Sequence, residues 1–217
     1  MLPTRLTRTG RASGSTEPRT AGVRIGVLVS GRGSNLAALL EAGLEVVLVV
    51  SNRAGVPALE IAAAHGVPTT VLRRSDFADA AARDEAIGLA LRSAGVELAV
   101  LAGYDQVLQP SYFAVFAGRT INIHPSLLPA HGGPGMVGVA VHRAVLAAGD
   151  RETGVTVHDV TRDLDAGPIL SQARVPVLAG DDPESLAARV LAAEHRLLVD
   201  TIRQLASAPR RRPIGRG

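Results

Sequence analysis

Asn122 and His124 stand two residues apart at the end of an apolar run, and Pro125 follows at once. One is a neutral amide donor. The other titrates near neutral pH. Residues 120–123 have the β-branched, apolar look of a short buried strand. Proline cannot continue a ladder, and it turns the residue before it away from the α region. The pair is therefore expected at the C-terminal end of a strand, where period-2 geometry puts both side chains on one face. Open α/β sheets bind their ligands at such ends. An amide and an imidazole side by side there suit an oxyanion and a proton transfer.

A second stretch offers anion chemistry. An apolar run over 23–29 leads into Ser30-Gly-Arg-Gly-Ser-Asn35, and Leu36, Leu39 and Leu40 then mark about two turns of helix. Strand, glycine turn and helix start present free backbone N–H groups and a favourable dipole to a phosphate. Ser34 and Asn35 could donate to that phosphate or cap the helix. The spacing is neither GxGxxG nor a P-loop, and a plain tight turn with an N-cap reads equally from it.

Two other chemistries compete for the histidines. His124, His131 and Asp165 could be assembled as metal ligands, but no HxxxH or HExxH spacing supports them, so no metal is expected. Ser126 lies near His124, yet there is no GxSxG elbow. His65 precedes Gly66 at a helix end and reads as structural. His195 falls in the final helix, His142 in a helix and His158 in a strand, all readable as packing. His131 lies in the glycine-rich run 130–138, within reach of a substrate.

The elements that must position these groups follow in order. Strands are expected over 23–29, 45–51, 67–72, 98–102 and 120–123, with helices over 56–65, 77–94 and 110–116 between them. This alternation argues an α/β fold with an open, mostly parallel twisted sheet and helices on both faces. The second part reads differently. A helix over 139–148 precedes strands over 153–160 and 169–177, the latter antiparallel to its predecessor. Asp181-Asp-Pro-Glu184 opens a last helix, 185–207.

The 217 residues suffice for one domain with a good core, placed at 23–207. No apolar run approaches about 18 residues, so no membrane span is expected, and a cytoplasmic address is the default. Cysteine is absent, which excludes disulfides and thiolate catalysis. Every cation is an arginine, so Schiff-base and P-loop lysine chemistry are excluded as well. Residues 1–22 carry +3 and 207–217 carry +4 of a total of +3, which leaves the body at −4. Residues 1–22 and 208–217 read as disordered basic tails, and a negative body with few aromatics argues against nucleic acid.

Five runs occur in order: Ser30-Gly-Arg-Gly-Ser-Asn35, Leu101-Ala-Gly-Tyr104, Ile121-Asn-Ile-His-Pro-Ser-Leu-Leu-Pro129, Gly154-Val-Thr-Val-His158 and Leu164-Asp-Ala-Gly-Pro-Ile169. Together they resemble the folate-dependent formyltransferases, and among them the phosphoribosylglycinamide formyltransferases (GAR transformylases), over about residues 23–206. The resemblance implies a Rossmann-like formyltransferase fold and formyl transfer from 10-formyltetrahydrofolate, as cosubstrate, to glycinamide ribonucleotide (GAR) in purine synthesis. It also implies a metal-free site in a monomer or homodimer.

Carried over residue by residue, Asn122, His124 and Asp165 match the catalytic trio. Gly33, Ser34 and Asn35 match the GAR phosphate loop, and Glu194 an acid that holds the GAR ribose. Gln106, Val107 and Leu108, with Thr161 in the loop that reaches Asp165, match the folate pocket. Gln106 stands where many members carry Arg, Ala80 where some carry one, and the segment 131–141 is longer than in many. A formyltetrahydrofolate deformylase is expected to carry an extra N-terminal domain, and a methionyl-tRNA formyltransferase a C-terminal one. A non-catalytic nucleotide-binding module would account for Gly33–Asn35 but not for the trio.

Overall fold

A computed structural model describes residues 22–207. The basic tails expected at 1–22 and 208–217 lie outside the described residues, apart from Gly22. Among these residues seven strands form one sheet: β1 (Ile25–Val29), β2 (Val46–Ser51), β3 (Thr69–Val71), β4 (Leu98–Leu101), β5 (Arg119–His124), β6 (Glu152–Asp159) and β7 (Ile169–Pro176). Their spatial order is β3-β2-β1-β4-β5-β6-β7. Strands β1 to β5 are mutually parallel, and β6 runs against both β5 and β7. The expected antiparallel strand is thus β6, and β7 returns to the common direction. Strand order reverses beside β1, which has β2 on one side and β4 on the other. A crevice opens at the carboxyl ends of the strands at such a switch point.

Among the described residues six α-helices cover the sheet: α1 (Ser34–Glu41), α2 (Pro57–Ala64), α3 (Ala80–Ser93), α4 (Pro110–Val115), α5 (Val139–Ala148) and α6 (Pro183–Ser207). Alternate residues of β1 feed two cores. Ile25, Val27 and Val29 pack in one with Leu36 and Leu39 of α1 and Leu186, Val190 and Leu198 of α6. Leu28 packs in the other with Ile87 and Leu91 of α3 and Tyr112 of α4. Burying such a side chain contributes about 1.5–3 kcal/mol, so strands buried on both faces read as unbroken apolar runs. Gly26 lets α3 come close: a Cβ there would meet Leu91 Cδ2 at 2.5 Å.

Several boundaries differ from the sequence reading. The helix expected from 77 starts at Ala80, because the Asp79 carboxylate accepts the Ala82 N–H at 2.7 Å and caps it there. A short 3-10 turn, Arg74–Asp76, precedes it. Strand β5 extends to include His124 itself. Neither Ser34 nor Asn35 caps α1; both are already helical, and Gly33, at φ 78, is the N-cap. The last helix starts two residues earlier than expected, at Pro183, with Glu184 in its first turn. Asp182 Oδ1 accepts the Ser185 N–H at 2.7 Å, and Pro183 takes the first helical position.

Candidate active site

The carboxyl ends of β1, β4 and β5 open into a cavity of about 710 Å³, a common size for a small-molecule site. Asn122 and His124 lie in its wall. Ile121 and Ile123 point the other way, into the α1/α6 core. Thr120 shares the face of Asn122 and His124 and is held by Tyr112 Oη at 2.8 Å. The strand is thus clamped one pair before the two polar residues. Behind them, Thr156 of β6 donates to Ser126 O and accepts from Leu128 N. This fixes the chain as it leaves His124.

Pairing of β5 with β6 sets Asn122 directly opposite His158. His158 Nδ1 lies 2.9 Å from the Asp159 carbonyl, which can only accept. That nitrogen therefore carries the proton. Burial holds the ring below the ordinary histidine range, against the pull of Asp165. In the neutral ring Nε2 is then an acceptor, and Asn122 Nδ2, at 3.1 Å, donates to it. This fixes which way the Asn122 amide points and leaves its second amide hydrogen for the cavity.

Asp165 arrives from the loop between β6 and β7, at φ 52. Its Oδ1 lies 3.7 Å from His158 Nε2 and its Oδ2 3.9 Å from His124 Nδ1. Oδ2 also accepts the Gly133 N–H at 2.9 Å, which ties the glycine-rich segment to the site. The structure thus brings Asn122, His124 and Asp165 together. It adds His158, which sequence reading leaves as a packing residue. His142 of α5 also lines the cavity, with Nδ1 buried and unpartnered. Burial lowers its ring, and the neighbouring His124 lowers it further.

Arg32, Gly33, Ser34, Asn35 and Glu194 form another part of the wall. The first N–H groups of α1 have no partner within the helix, an arrangement that suits an anion. Asn35 Nδ2 donates to Glu194 Oε2 at 2.7 Å, so this amide holds the acid of α6. Arg32 is a cation that the sequence reading passes over. Gly33 is required by packing. A Cβ would lie 2.7 Å from Ala58 Cα of α2, at a φ that disfavours side chains. Gly33→Val would displace the loop and tests phosphate approach poorly; Ser34→Ala is the cleaner probe.

The residues expected to meet folate are placed differently from one another. Gln106 and Val107 line the cavity, together with Met136, Val137 and Leu164. Leu108 does not. Its side chain turns inward to the α3/α4 core. Thr161 is exposed and donates to Asp163 O within its own loop. Asp105 gathers this wall. It accepts from Ser30 Oγ, Asn52 Nδ2 and Arg53 Nη2, and from Gln106 Nε2. Together with Asn52, Gln106, Ser30 and Arg53 this holds its carboxyl below the usual range, against its burial.

Three of the buried polar groups without a partner belong to cavity residues: Asn35 Oδ1, Tyr104 Oη and His142 Nδ1. A polar ligand would satisfy them. Val107, Val137, Val139 and Leu164 are exposed around the same cavity and suit an apolar ring. Among the described residues no group of three or more histidines and acids is placed to hold a metal. No helix among them is long and apolar enough to cross a membrane.

Glu194 yields a test. Burial raises its carboxyl above the ordinary value, while Asn35 and Arg32 pull the other way. An acid raised in the folded state binds more protons there than in the unfolded chain. Its contribution to stability therefore grows as pH falls through that window. Glu194→Gln keeps an acceptor for Asn35 and removes the buried charge. The variant is expected to melt no lower than the parent at pH 8 and to lose part of this pH slope. If the carboxylate holds substrate hydroxyls, KM for that substrate rises. Thermal melts across pH, with KM alongside, check both.

The formyl transferase family profile matches residues 23–202. Phosphoribosylglycinamide formyltransferase from Escherichia coli (strain K12) is 40% identical over 181 residues, covering 81% of this chain and 83% of that protein. The trifunctional purine biosynthetic protein adenosine-3 of Drosophila pseudoobscura pseudoobscura is 43% identical over 197 residues. That match covers 87% of this chain, and the chain spans only 14% of that protein. Among solved structures, glycinamide ribonucleotide transformylase 1 from Symbiobacterium toebii superposes with a TM-score of 0.80 at 41% identity, covering 85% of this chain and 88% of that one. The phosphoribosylglycinamide formyltransferase of Brucella melitensis gives 0.78 at 42%, covering 87% and 97%.

Proposed function

This chain belongs to the formyl transferase family, on the side of its phosphoribosylglycinamide formyltransferases, and we propose that it moves a formyl group from 10-formyltetrahydrofolate to the amine of GAR. One observation carries the reading. A single cavity holds a helix start with Arg32 and Ser34, an apolar wall at Val107, Val137 and Leu164, and Asn122, His124 and Asp165. A phosphorylated amine and a folate ring could meet there with the reacting atoms at the strand end.

The GAR amine attacks the formyl carbon, and the carbonyl electron pair moves to oxygen. Asn122 donates its free amide hydrogen to that oxyanion, and His124 donates from Nδ1 when protonated. Each such donor is commonly worth about 3 kcal/mol in the transition state. On collapse the bond from carbon to N10 of the folate breaks. The amine gives up a proton and N10 takes one, by way of His124, Asp165 and water. The nucleophile belongs to the substrate, so the chain needs no activated serine, cysteine or lysine. Arg32, Ser34 and the start of α1 take the phosphate, and Glu194, held by Asn35, takes the ribose hydroxyls. Gln106, Val107 and Leu164 meet the folate.

The test is loss of formyl-folate with and without GAR. Turnover that requires GAR is expected. Turnover without it would identify a deformylase, and binding without turnover a nucleotide-binding module. Ser34→Ala is expected to raise KM for GAR severalfold and to leave KM for formyl-folate nearly unchanged. An equal rise in both would remove Ser34 from the phosphate role.

A further inference from the structure

The two ring nitrogens of His124 meet different partners. Nε2 lies 2.9 Å from the main-chain carbonyl oxygen of His131, and Nδ1 faces Asp165. A carbonyl only accepts, so Nε2 carries a proton in every state that keeps this bond. Nδ1 is left as the nitrogen that gains or gives up a proton at the reacting centre. The tautomer of His124 is thus set by where one backbone carbonyl lies.

That carbonyl belongs to a residue in an uncommon conformation. His131 has φ 52, the left-handed region that non-glycine residues seldom occupy. Glycines follow at 132 and 133, so the neighbouring backbone does little to hold it. The side chain does. His131 Nε2 lies 2.6 Å from Asp150 Oδ2, just past the end of α5. The ring therefore points at Asp150, and what reaches His124 from this residue is its backbone.

We infer that His131 and Asp150 are positioning residues for His124: their pair anchors the 131 carbonyl against Nε2 and so reserves Nδ1 for the proton exchange. The inference rests on the proposed role of His124 in catalysis. Other charged or titratable groups also face His124. They are Asp165 from the β6–β7 loop, His158 from β6 and His142 from α5. None of them touches Nε2, so none replaces the carbonyl.

The test uses the full chain with 15N-labelled histidine, the His124 signals being those absent from His124→Ala. In the parent, neutral His124 is expected as the Nε2–H tautomer alone. Asp150→Ala and His131→Gly remove the anchor and retain the backbone carbonyl. Each is expected to give a mixture of tautomers, a fall in kcat of up to roughly 100-fold, a displaced pH profile and smaller changes in both KM values. Asp150→Asn keeps an acceptor for His131 and is expected to restore all four. Should Asp150→Ala fail to fold, His131→Gly and Asp150→Asn still decide. An unchanged tautomer with parental kcat in the anchor-less variants would overturn the inference. A changed tautomer with parental kcat would support the anchoring and overturn the catalytic role of His124 instead.

Discussion

His124→Ala is expected to lower kcat by roughly a hundred- to a thousandfold while GAR still binds, and Asn122→Ala by a similar factor. The reason lies in when their bonds form. The formyl oxygen is a weak acceptor in the ground state and a strong one as the oxyanion, so a lost donor costs most in the transition state. KM values should therefore move much less than kcat. Asp165→Asn is the sharper companion. Asparagine tolerates the left-handed backbone that Asp165 adopts, and its amide oxygen can still accept the Gly133 N–H. The variant keeps the loop tie and removes only the charge beside His124 Nδ1 and His158 Nε2. A large fall in kcat with a changed pH profile is expected. Steady-state kinetics from pH 6 to 9 decide; parental turnover in any of the three would remove that residue from the chemistry.

What could be read in advance follows from which forces are local. Strands β1, β2 and β4 are buried on both faces, so their apolar runs declare themselves. Proline after His124 marks the strand end, and period 2 puts Asn122 beside it. No local signal gives Asp165; it entered through the resemblance of Leu164-Asp-Ala-Gly-Pro-Ile169. His158 was missed because its partner is fixed by strand register, and the pairing of Asn122 with His158 spans 36 residues. The role of the His131 backbone was hidden for a related reason. A residue's carbonyl carries no trace in its side-chain type. Leu108 and Thr161 sit in a matching segment, yet core packing and a local hydrogen bond take their side chains elsewhere.

A charged pair inside an alanine-rich helix reads as a solvated face, and here that reading would mislead. Arg83 and Asp84 of α3 are 1% and 0% exposed. The two side chains meet at 2.7 Å. Each also reaches the segment 105–109, whose Asp105, Gln106 and Val107 line the cavity. Arg83 Nη1 donates to Gln106 Oε1 at 3.2 Å, and Asp84 Oδ2 accepts the Gln109 N–H at 2.7 Å. The segment 105–109 is therefore pinned at two points by a buried ion pair.

Removing one partner strands the other charge in a place water does not reach. Asp84→Ala is accordingly expected to cost about 3–5 kcal/mol. For a domain of this size that corresponds to a fall in Tm of roughly 6–20 °C. Replacing both together, as Arg83→Met with Asp84→Leu, leaves no stranded charge and is expected to cost much less. The double variant separates stability from function. It should fold, yet Gln106 has lost its bond to Arg83 and the Gln109 N–H its bond to Asp84, so KM for formyl-folate is expected to rise while KM for GAR stays close to parental. Thermal melts of the single and double variants, with both KM values for the double, provide the measurement. A double variant as unstable as Asp84→Ala would mean that the pair itself, and not the stranded charge, carries the stability. An unchanged KM for formyl-folate would detach the buried pair from the folate wall at Gln106.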